Sequence, residues 1–260
     1  MPVFVTAADT ALGRLVAQGL LREGGEVRVQ VTGDGADLRA GGALVATGDL
    51  DDVGRMDAAM TDVHTVVHPV LACLAPSTDR LEADATAVAA AASGAGVKRL
   101  IVLSVPGADP GAVDGLRAAC GRIEQAVADL DLPTIVVRVL LVDLPAVRDA
   151  VVSAGVTPAQ RERVVAPVRP ADLVAGLVAL DAARSSATVG HAVFRADGAT
   201  MTLGSYLDRV GAGLVGRVWT PGTRVPLFAD ALVGPATSDE TDTADLWTFA
   251  GVTPRPVGAA

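Results

Sequence analysis

The sequence predicts an α/β protein with a doubly wound parallel sheet of the Rossmann type and a small C-terminal lobe. The first observation is that short, nearly continuous apolar segments, such as Arg99–Ser104 and Thr134–Leu140, alternate with longer amphipathic segments. Strands that are apolar on both faces are typical of parallel sheets that helices cover on both sides. The second observation is that 50% of the 260 residues are hydrophobic, which provides for one large core.

The chain up to about residue 143 supplies strands and helices in alternation. In the first helix, Leu12, Leu15 and Leu20 recur with the spacing of one helical face. The predicted strands are Val3–Thr6, Val27–Thr32, Ala43–Thr47, Thr65–His68, Arg99–Ser104 and Thr134–Leu140. The predicted helices are Thr10–Glu23, Asp52–Thr61, Thr78–Ser93 and Gly111–Asp129.

Beyond Asp143 the alternation becomes less regular. Helices at Pro170–Ala183 and Thr202–Leu214 flank a strand at His191–Arg195, and the end of the chain is rich in Pro, Thr and Asp. We therefore predict two parts. Residues 1–143 form a dinucleotide-binding core, and residues 144–260 form a small substrate lobe that completes the cleft.

The composition argues against several functional classes. A net charge of −9 disfavours nucleic-acid binding, which needs clustered cations. No apolar stretch reaches the roughly 18 residues of a membrane span, and the first residues lack the features of a signal peptide. Cys73 and Cys120 have neither metal nor redox spacing and are expected to be free thiols, so we expect a cytoplasmic protein without a metal site.

The first strand and helix meet at a turn with the spacing of a dinucleotide fingerprint, Gly-x-x-Gly-x-x-Gly. The three glycine positions hold Ala7, Thr10 and Gly13. Glycines there allow a tight turn and let a pyrophosphate approach the helix N-terminus. The alternative is a turn without a ligand in which Asp9 or Thr10 only caps the helix. The candidate cofactor-binding residues of the turn are Ala7, Thr10, Ala11, Leu12 and Gly13.

Two aspartates near this turn bear on the cofactor. Asp34 lies about 20 residues after Gly13, the separation expected for the acid that holds the adenosine ribose. Its alternative role is that of a turn residue between two glycines. Asp9 adds a negative charge where phosphates would lie, unless its side chain turns to backbone amides. We therefore expect NAD or NADP to bind weakly, or not at all.

Seven segments, in this order and spacing, resemble the extended or atypical short-chain dehydrogenase/reductases, including their NmrA-like and epimerase/dehydratase-like branches. The resemblance extends over nearly the whole chain, and its most specific pieces are Gly48–Asp51 and Ala95–Ser104. The matching segments are Val5–Arg14, Thr47–Asp51, Thr65–His68, Ala95–Ser104, Leu132–Arg138, Arg169–Leu173 and Phe249–Pro256.

The resemblance implies roles for particular residues. Asp49 and Leu50 would lie beside the adenine, and Ser104 would polarise a substrate carbonyl. The nicotinamide and its ribose would be lined by His68, Pro69, Val70, Arg138, Val139 and Leu140. Relatives form dimers through the helices that correspond to Thr78–Ser93 and Gly111–Asp129, so the resemblance also implies a homodimer that acts on a small-molecule substrate.

One departure from the family is large. Its catalytic Tyr-x-x-x-Lys pair is absent, since Tyr206 is the one tyrosine of the sequence and Lys98 the one lysine. Counting back from Glu124 places Leu116 and Cys120 at the two positions. The usual acid–base mechanism is therefore absent.

Other side chains are weaker candidates. His68 ends a strand at the carboxyl edge of the sheet, where ligands bind, and could serve as a general acid near neutral pH. Its alternative role is that of a structural histidine bonded to the backbone. Asp143 is expected to face the cleft, and Trp219 or Trp247 could line a substrate pocket or simply pack.

Three functions remain open at this point. The first, which we favour, is an atypical NAD(P)-dependent reductase, dehydrogenase or epimerase whose proton donor is water, substrate, His68 or Ser104. The second is a dinucleotide-responsive binding protein without turnover, as in NmrA-like regulators. The third is a non-redox isomerase, cyclase or lyase that has lost the cofactor. The fold does not choose among them.

Overall fold

The computed structural model describes residues 1–153, 156–183, 190–210 and 243–258. Trp219 and the end of the helix predicted at Thr202–Leu214 lie outside these residues. The strands are β1 (Val3–Val5), β2 (Val27–Val31), β3 (Leu44–Thr47), β4 (Thr65–His68), β5 (Arg99–Ser104), β6 (Thr134–Arg138), β7 (Val164–Val165), β8 (His191–Arg195), β9 (Met201–Thr202) and β10 (Ala244–Asp245).

Helices connect most of these strands, and a short 3-10 turn at Ala72–Leu74 follows β4. The helices are α1 (Ala11–Arg22), α2 (Ala36–Ala40), α3 (Val53–Met60), α4 (Thr78–Gly94), α5 (Gly115–Ala128), α6 (Pro145–Ser153), α7 (Pro158–Arg161), α8 (Pro170–Ala182), α9 (Leu203–Val210) and α10 (Leu246–Ala250).

The main sheet has eight strands in the order β10-β8-β6-β5-β4-β1-β2-β3, and all of its pairings are parallel. The chain runs outward from β1 through β2 and β3, then returns to β4 on the other side of β1. This reversal is the switch point at which open α/β sheets bind ligands. The predicted doubly wound parallel sheet is confirmed.

The alternation of side chains along each strand builds two cores. Helices α1 and α8 pack together on one face, where Val5, Val67 and Ile101 point. Helices α3, α4 and α5 cover the other face, where Phe4 and Val66 point. Both faces of the central strands β1, β4, β5 and β6 are therefore buried, as the apolar strands predict.

Several sequence-based boundaries are corrected by the structure. The helix predicted to begin at Gly111 begins only at Gly115, after a turn through residues 111–114. Asp114 caps this helix, α5, because its side chain accepts from the Arg117 N–H. Beyond residue 143, β8 and β10 extend the main sheet, while β7 and β9 form a separate antiparallel pair. The expected division near residue 143 therefore does not divide the sheet.

Candidate functional site

Two adjoining cavities open at the carboxyl ends of β1, β2 and β4. Their volumes are about 390 and 330 Å³, and Ala7, Thr10, Leu50 and Asp84 line both. The larger, which we call the apolar cavity, is also lined by Ala11, Leu12, Pro69, Val70, Leu71, Leu74, Ala75, Pro76, Leu81, Leu144 and Ala146. The smaller, which we call the polar cavity, adds Asp9, Gln30, Thr32 and Arg80.

The turn between β1 and α1 keeps the backbone of a dinucleotide fingerprint without its first glycine. Ala7 adopts a φ of 48°, a conformation that favours glycine. The Gln30 side chain holds this turn, because its Oε1 accepts from the Ala7 N–H at 2.7 Å while its amide donates to the Gly48 carbonyl at 2.6 Å. The polar cavity is thus bordered by a fixed, strained turn.

Thr10 and Gly13 complete this turn. Thr10 is the N-cap of α1, with an extended backbone, and its hydroxyl accepts from the Gly13 N–H at 3.1 Å and donates to the Ala7 carbonyl at 2.8 Å. A Cβ at Gly13 would overlap the Ala7 carbonyl group. The second fingerprint position therefore accommodates Thr10, whereas the third requires the glycine that it has, Gly13.

The Asp9 side chain turns to the backbone at the end of β2, as phosphate binding at the β1–α1 turn would require. Its Oδ2 accepts from the Thr32 N–H at 2.8 Å and from the Thr32 hydroxyl at 2.5 Å. Partial burial opposes ionisation, but the bonds from Thr32 prevail and lower the pKa of Asp9 below its ordinary value. A charged carboxylate therefore stands at the carboxyl end of β2.

Asp34, the predicted ribose acid, is placed differently. Its side chain is 83% exposed, lies 3.8 Å from Arg39, and does not line either cavity. Of the residues expected beside the adenine, Leu50 lines both cavities and Asp49 is exposed. Pro69 and Val70 line the apolar cavity, and their place beside a nicotinamide ribose stays a prediction.

His68 is buried beneath this site and points to the α4–α5 face. Its Nδ1 lies 2.7 Å from the Thr6 hydroxyl, and among the described residues its Nε2 has no hydrogen-bond partner. Burial lowers the pKa of His68 to about 4. The imidazole is therefore neutral at neutral pH and carries no extra proton to give as a general acid.

Ser104 lies on the neighbouring strand and is also buried, at 3% exposure. Within the described chain its hydroxyl has no partner at hydrogen-bonding geometry. Leu116 and Cys120, at the positions of the family tyrosine and lysine, are buried in the core under α5. Burial raises the pKa of the Cys120 thiol to about 12, so this cysteine is an uncharged core residue.

The segment Arg138–Leu140 was expected to close over a nicotinamide. Arg138 instead forms an ion pair with Glu124, at 3.0 Å and 2.5 Å between the two pairs of atoms. Val139 and Leu140 are buried, and neither cavity is lined by this segment. Next to it, Leu144 and Ala146 at the start of α6 line the apolar cavity.

Tyr206 is fully buried and acts as a structural hydrogen-bond donor. Its hydroxyl donates to Asp143 Oδ1 at 2.8 Å, and Arg148 forms a bidentate ion pair with the same carboxylate. Burial and the Asp143 charge raise the pKa of Tyr206. Asp143 therefore binds side chains of α6 and α9 and lines neither cavity. Trp247 is buried and its ring N–H donates to the Asp197 carbonyl, so it packs instead of lining these cavities.

Several residues that line the cavities were not predicted from the sequence. Gln30 is the clearest, and its signal was a polar side chain within the otherwise apolar end of β2. Arg80 and Asp84 form an ion pair one turn apart on α4, 2.9 Å across, at the mouth of the polar cavity. The apolar residues Leu71 and Leu74 follow β4, in a stretch that has no motif.

Neither a metal site nor a membrane-spanning helix is found among the described residues. No group of three or more His, Cys, Asp or Glu side chains in those ranges could hold a metal ion. Among the helices that the structure describes, none is long and apolar enough to cross a membrane.

Comparison with known proteins agrees with this geometry. Residues 8–131 match the family model described as NAD(P)H-binding. A curated relative, the (4-alkanoyl-5-oxo-2,5-dihydrofuran-3-yl)methyl phosphate reductase of Streptomyces griseus, is 34% identical over 138 residues, which are 52% of this chain and 46% of the relative. The match thus spans about half of the length of that enzyme.

Solved structures share the whole fold. A triphenylmethane reductase from Citrobacter sp., complexed with NADP(H), superposes with a TM-score of 0.76 at 16% identity, over 99% of this chain and 98% of the reductase. A nucleoside-diphosphate-sugar epimerase from Staphylococcus aureus superposes with a TM-score of 0.76 at 14% identity, over 99% of this chain and 98% of the epimerase. An NADPH-dependent quinone oxidoreductase from Escherichia coli superposes with a TM-score of 0.73 at 19% identity, over 99% of this chain and 97% of the oxidoreductase.

The fold and the site define a Rossmann-type α/β protein with a cleft at its switch point. Residues 8–131, slightly less than half of the chain, match the NAD(P)H-binding family model. The resemblance inferred from the sequence is confirmed.

Proposed function

We propose that this protein is an atypical NAD(P)H-dependent reductase that transfers hydride to a small, conjugated electrophile. The observation that carries the proposal is the pair of adjoining cavities at the carboxyl ends of β1, β2 and β4, lined mostly by the segment that matches the NAD(P)H-binding family. Support also comes from the Streptomyces reductase and from relatives solved with nicotinamide cofactors.

The residues present fit such a cofactor. Gln30 and Thr32 line the polar cavity while their polar groups hold the Ala7 turn and the Asp9 carboxylate, and the fixed turn at Ala7 places the N-terminus of α1 beside both cavities. The apolar cavity offers aliphatic walls, including Leu71 and Leu144, to a flat ring. A reduced nicotinamide, when bound, supplies the hydride.

The proton must then come from another source than a catalytic tyrosine. Tyr206 is buried against Asp143, and His68 is neutral with its pKa near 4. We therefore propose a substrate whose reduced form is a stabilised anion, such as an enolate or a quinol anion, which takes its proton from water. His68 and Ser104 are buried and line neither cavity, so their role as hydrogen-bond donors to the developing anion is a proposal that rests only on the lack of partners at hydrogen-bonding geometry among the described residues.

Titration with NADH and NADPH, followed by nicotinamide fluorescence, tests the proposal. We expect saturable binding, and then oxidation of the cofactor with a panel of quinones and conjugated carbonyl compounds. In such an assay, Ser104→Ala should lower turnover by about tenfold or more. Unchanged turnover would remove Ser104 from the site.

A second candidate is a dinucleotide-responsive protein without turnover. The observation that favours it is the filled catalytic position, where Leu116 and Cys120 are 0% and 2% exposed. Binding of the cofactor without turnover on any acceptor would support this candidate. An absence of binding would leave the non-redox isomerase, cyclase or lyase.

We also propose a homodimer in the cytoplasm. Helices α4 and α5 pack side by side and are joined by the Glu82–Arg122 ion pair. Among the alanines of these two helices, Ala91, Ala118 and Ala119 are buried within the chain, whereas Ala90 is exposed and available to the proposed interface. Both cysteines are free, which fits a reducing compartment. Light scattering at micromolar concentration should give the mass of two chains, and a single-chain mass would contradict the dimer.

A further inference from the structure

The polar cavity carries an unusual distribution of charge for an NADP site. It holds the carboxylates of Asp9 and Asp84 and the guanidinium of Arg80. Asp9 is fixed by its bonds to Thr32 at the end of β2, the position where dinucleotide-binding folds place the group that reads the adenosine ribose. The group that stands there in this protein is an anion supplied by the turn between β1 and α1.

The one cation of this lining is already engaged. Arg80 Nε donates to Asp84 at 2.9 Å, and the charges of Asp51 and Asp49 also act on its guanidinium. A phosphate at the polar cavity would have to compete with these carboxylates for Arg80. The ion pair therefore provides little free positive charge to the cavity.

The arginines on either side of the end of β2 are engaged as well. Arg14 on α1 forms an ion pair with Asp37. Arg39, the nearest cation after the turn, lies 3.8 Å from Asp34. Neither arginine contributes to the lining of either cavity.

We propose that this site selects NAD(H) over NADP(H), and that Asp9 is the residue that determines the choice. A carboxylate accepts a hydrogen bond from a free 2′-hydroxyl and repels a 2′-phosphate. The proposal rests on the proposed function and concerns the same site. It differs from the cofactor named for the Citrobacter reductase, because it follows from the charges of this chain.

The test compares affinities by isothermal titration calorimetry of the full chain. We expect the dissociation constant for NADH to be at least about tenfold lower than that for NADPH, since a carboxylate about 6 Å from a doubly charged phosphate costs roughly this factor in water. ADP-ribose and its 2′-phosphorylated form should show the same ratio, which would place the discrimination at the adenosine end.

The decisive variant is Asp9→Asn, which keeps an oxygen that can accept from Thr32 but removes the charge. We expect it to tighten NADPH binding by about tenfold and to reduce the preference for NADH accordingly. The matched control is Asp57→Asn, an exposed charge change on α3 near the far end of α4, which should leave the ratio unchanged. Thermal unfolding followed by circular dichroism shows that each variant is folded.

The outcomes separate the two proposals. NADPH binding as tight as NADH, or a ratio that Asp9→Asn does not change, would overturn the selectivity while the proposed function stands. If neither dinucleotide binds at millimolar concentration, the proposed function fails, and the selectivity fails with it.

Discussion

Gln30 Oε1 accepts a hydrogen bond from the Ala7 N–H at 2.7 Å, and this contact fixes the turn that carries the candidate phosphate-binding residues. The same side chain donates to the Gly48 carbonyl, so one buried amide joins the β1–α1 turn to the segment after β3. The backbone on both sides of the polar cavity therefore depends on a residue of the strand between them.

Replacing Gln30 by Leu should lower the free energy of unfolding by about 2–4 kcal/mol. The substitution leaves a buried N–H and a carbonyl without their partner, and each such group costs about 1–3 kcal/mol. Denaturant unfolding measures the change. Gln18→Leu, on the exposed side of α1, is the control and should change the stability little. A loss below about 0.5 kcal/mol for the Gln30 variant would show that the turn does not depend on it.

Replacing Ala7 by Gly should raise the free energy of unfolding by about 0.5–1 kcal/mol. Ala7 has a φ of 48°, where an alanine is strained and a glycine is not. The control, Ala58→Gly, lies on the exposed side of α3 and should lower stability by about 1 kcal/mol. Thermal unfolding of both variants tests the contrast, and destabilisation by Ala7→Gly would contradict the strain.

His68 should make the stability depend on pH between about 6.5 and 4. Burial lowers its pKa to about 4 in the folded protein, so the unfolded chain binds the proton first as the pH falls. Stability should therefore fall with falling pH, by up to about 3 kcal/mol from this residue. Comparing unfolding of the natural protein and of His68→Asn across this window isolates the effect. Parallel pH profiles would mean that the histidine is solvated.

Tyr206→Phe should lower the free energy of unfolding by about 1.5–3 kcal/mol, since it removes a hydrogen bond to the ionised Asp143. The affinity for NADH should change by less than about twofold, because Tyr206 lies outside both cavities. Denaturant unfolding and NADH titration of the same variant measure both effects. Unchanged stability together with lost binding would give Tyr206 a role in the site.

The fold was largely accessible from the sequence because the strands are short apolar runs. The predicted bounds of Thr65–His68, Arg99–Ser104 and His191–Arg195 agree with the structure. A short helix such as Ala36–Ala40 was not predicted, because five residues are too few to show a helical period. The pairing of β10 with β8 also carries no local signal.

The site was only partly accessible. Leu50, Pro69 and Val70 were predicted from the resemblance and do line the cavities. Arg138 was expected at the nicotinamide, yet its charge is held by Glu124, and such a pairing between distant residues leaves no pattern in the sequence. Gln30 was missed because a single buried amide in a strand belongs to no motif.

Hydrogen–deuterium exchange of the natural protein, with and without saturating NADH, tests the central claim most directly. If the dinucleotide occupies the cleft at the switch point, amide exchange should slow in peptides that cover residues 6–14 and 68–76. Peptides from β8, which lies outside the cavities, should not change. Unchanged exchange in both cleft segments at saturating NADH would contradict a dinucleotide site in this cleft.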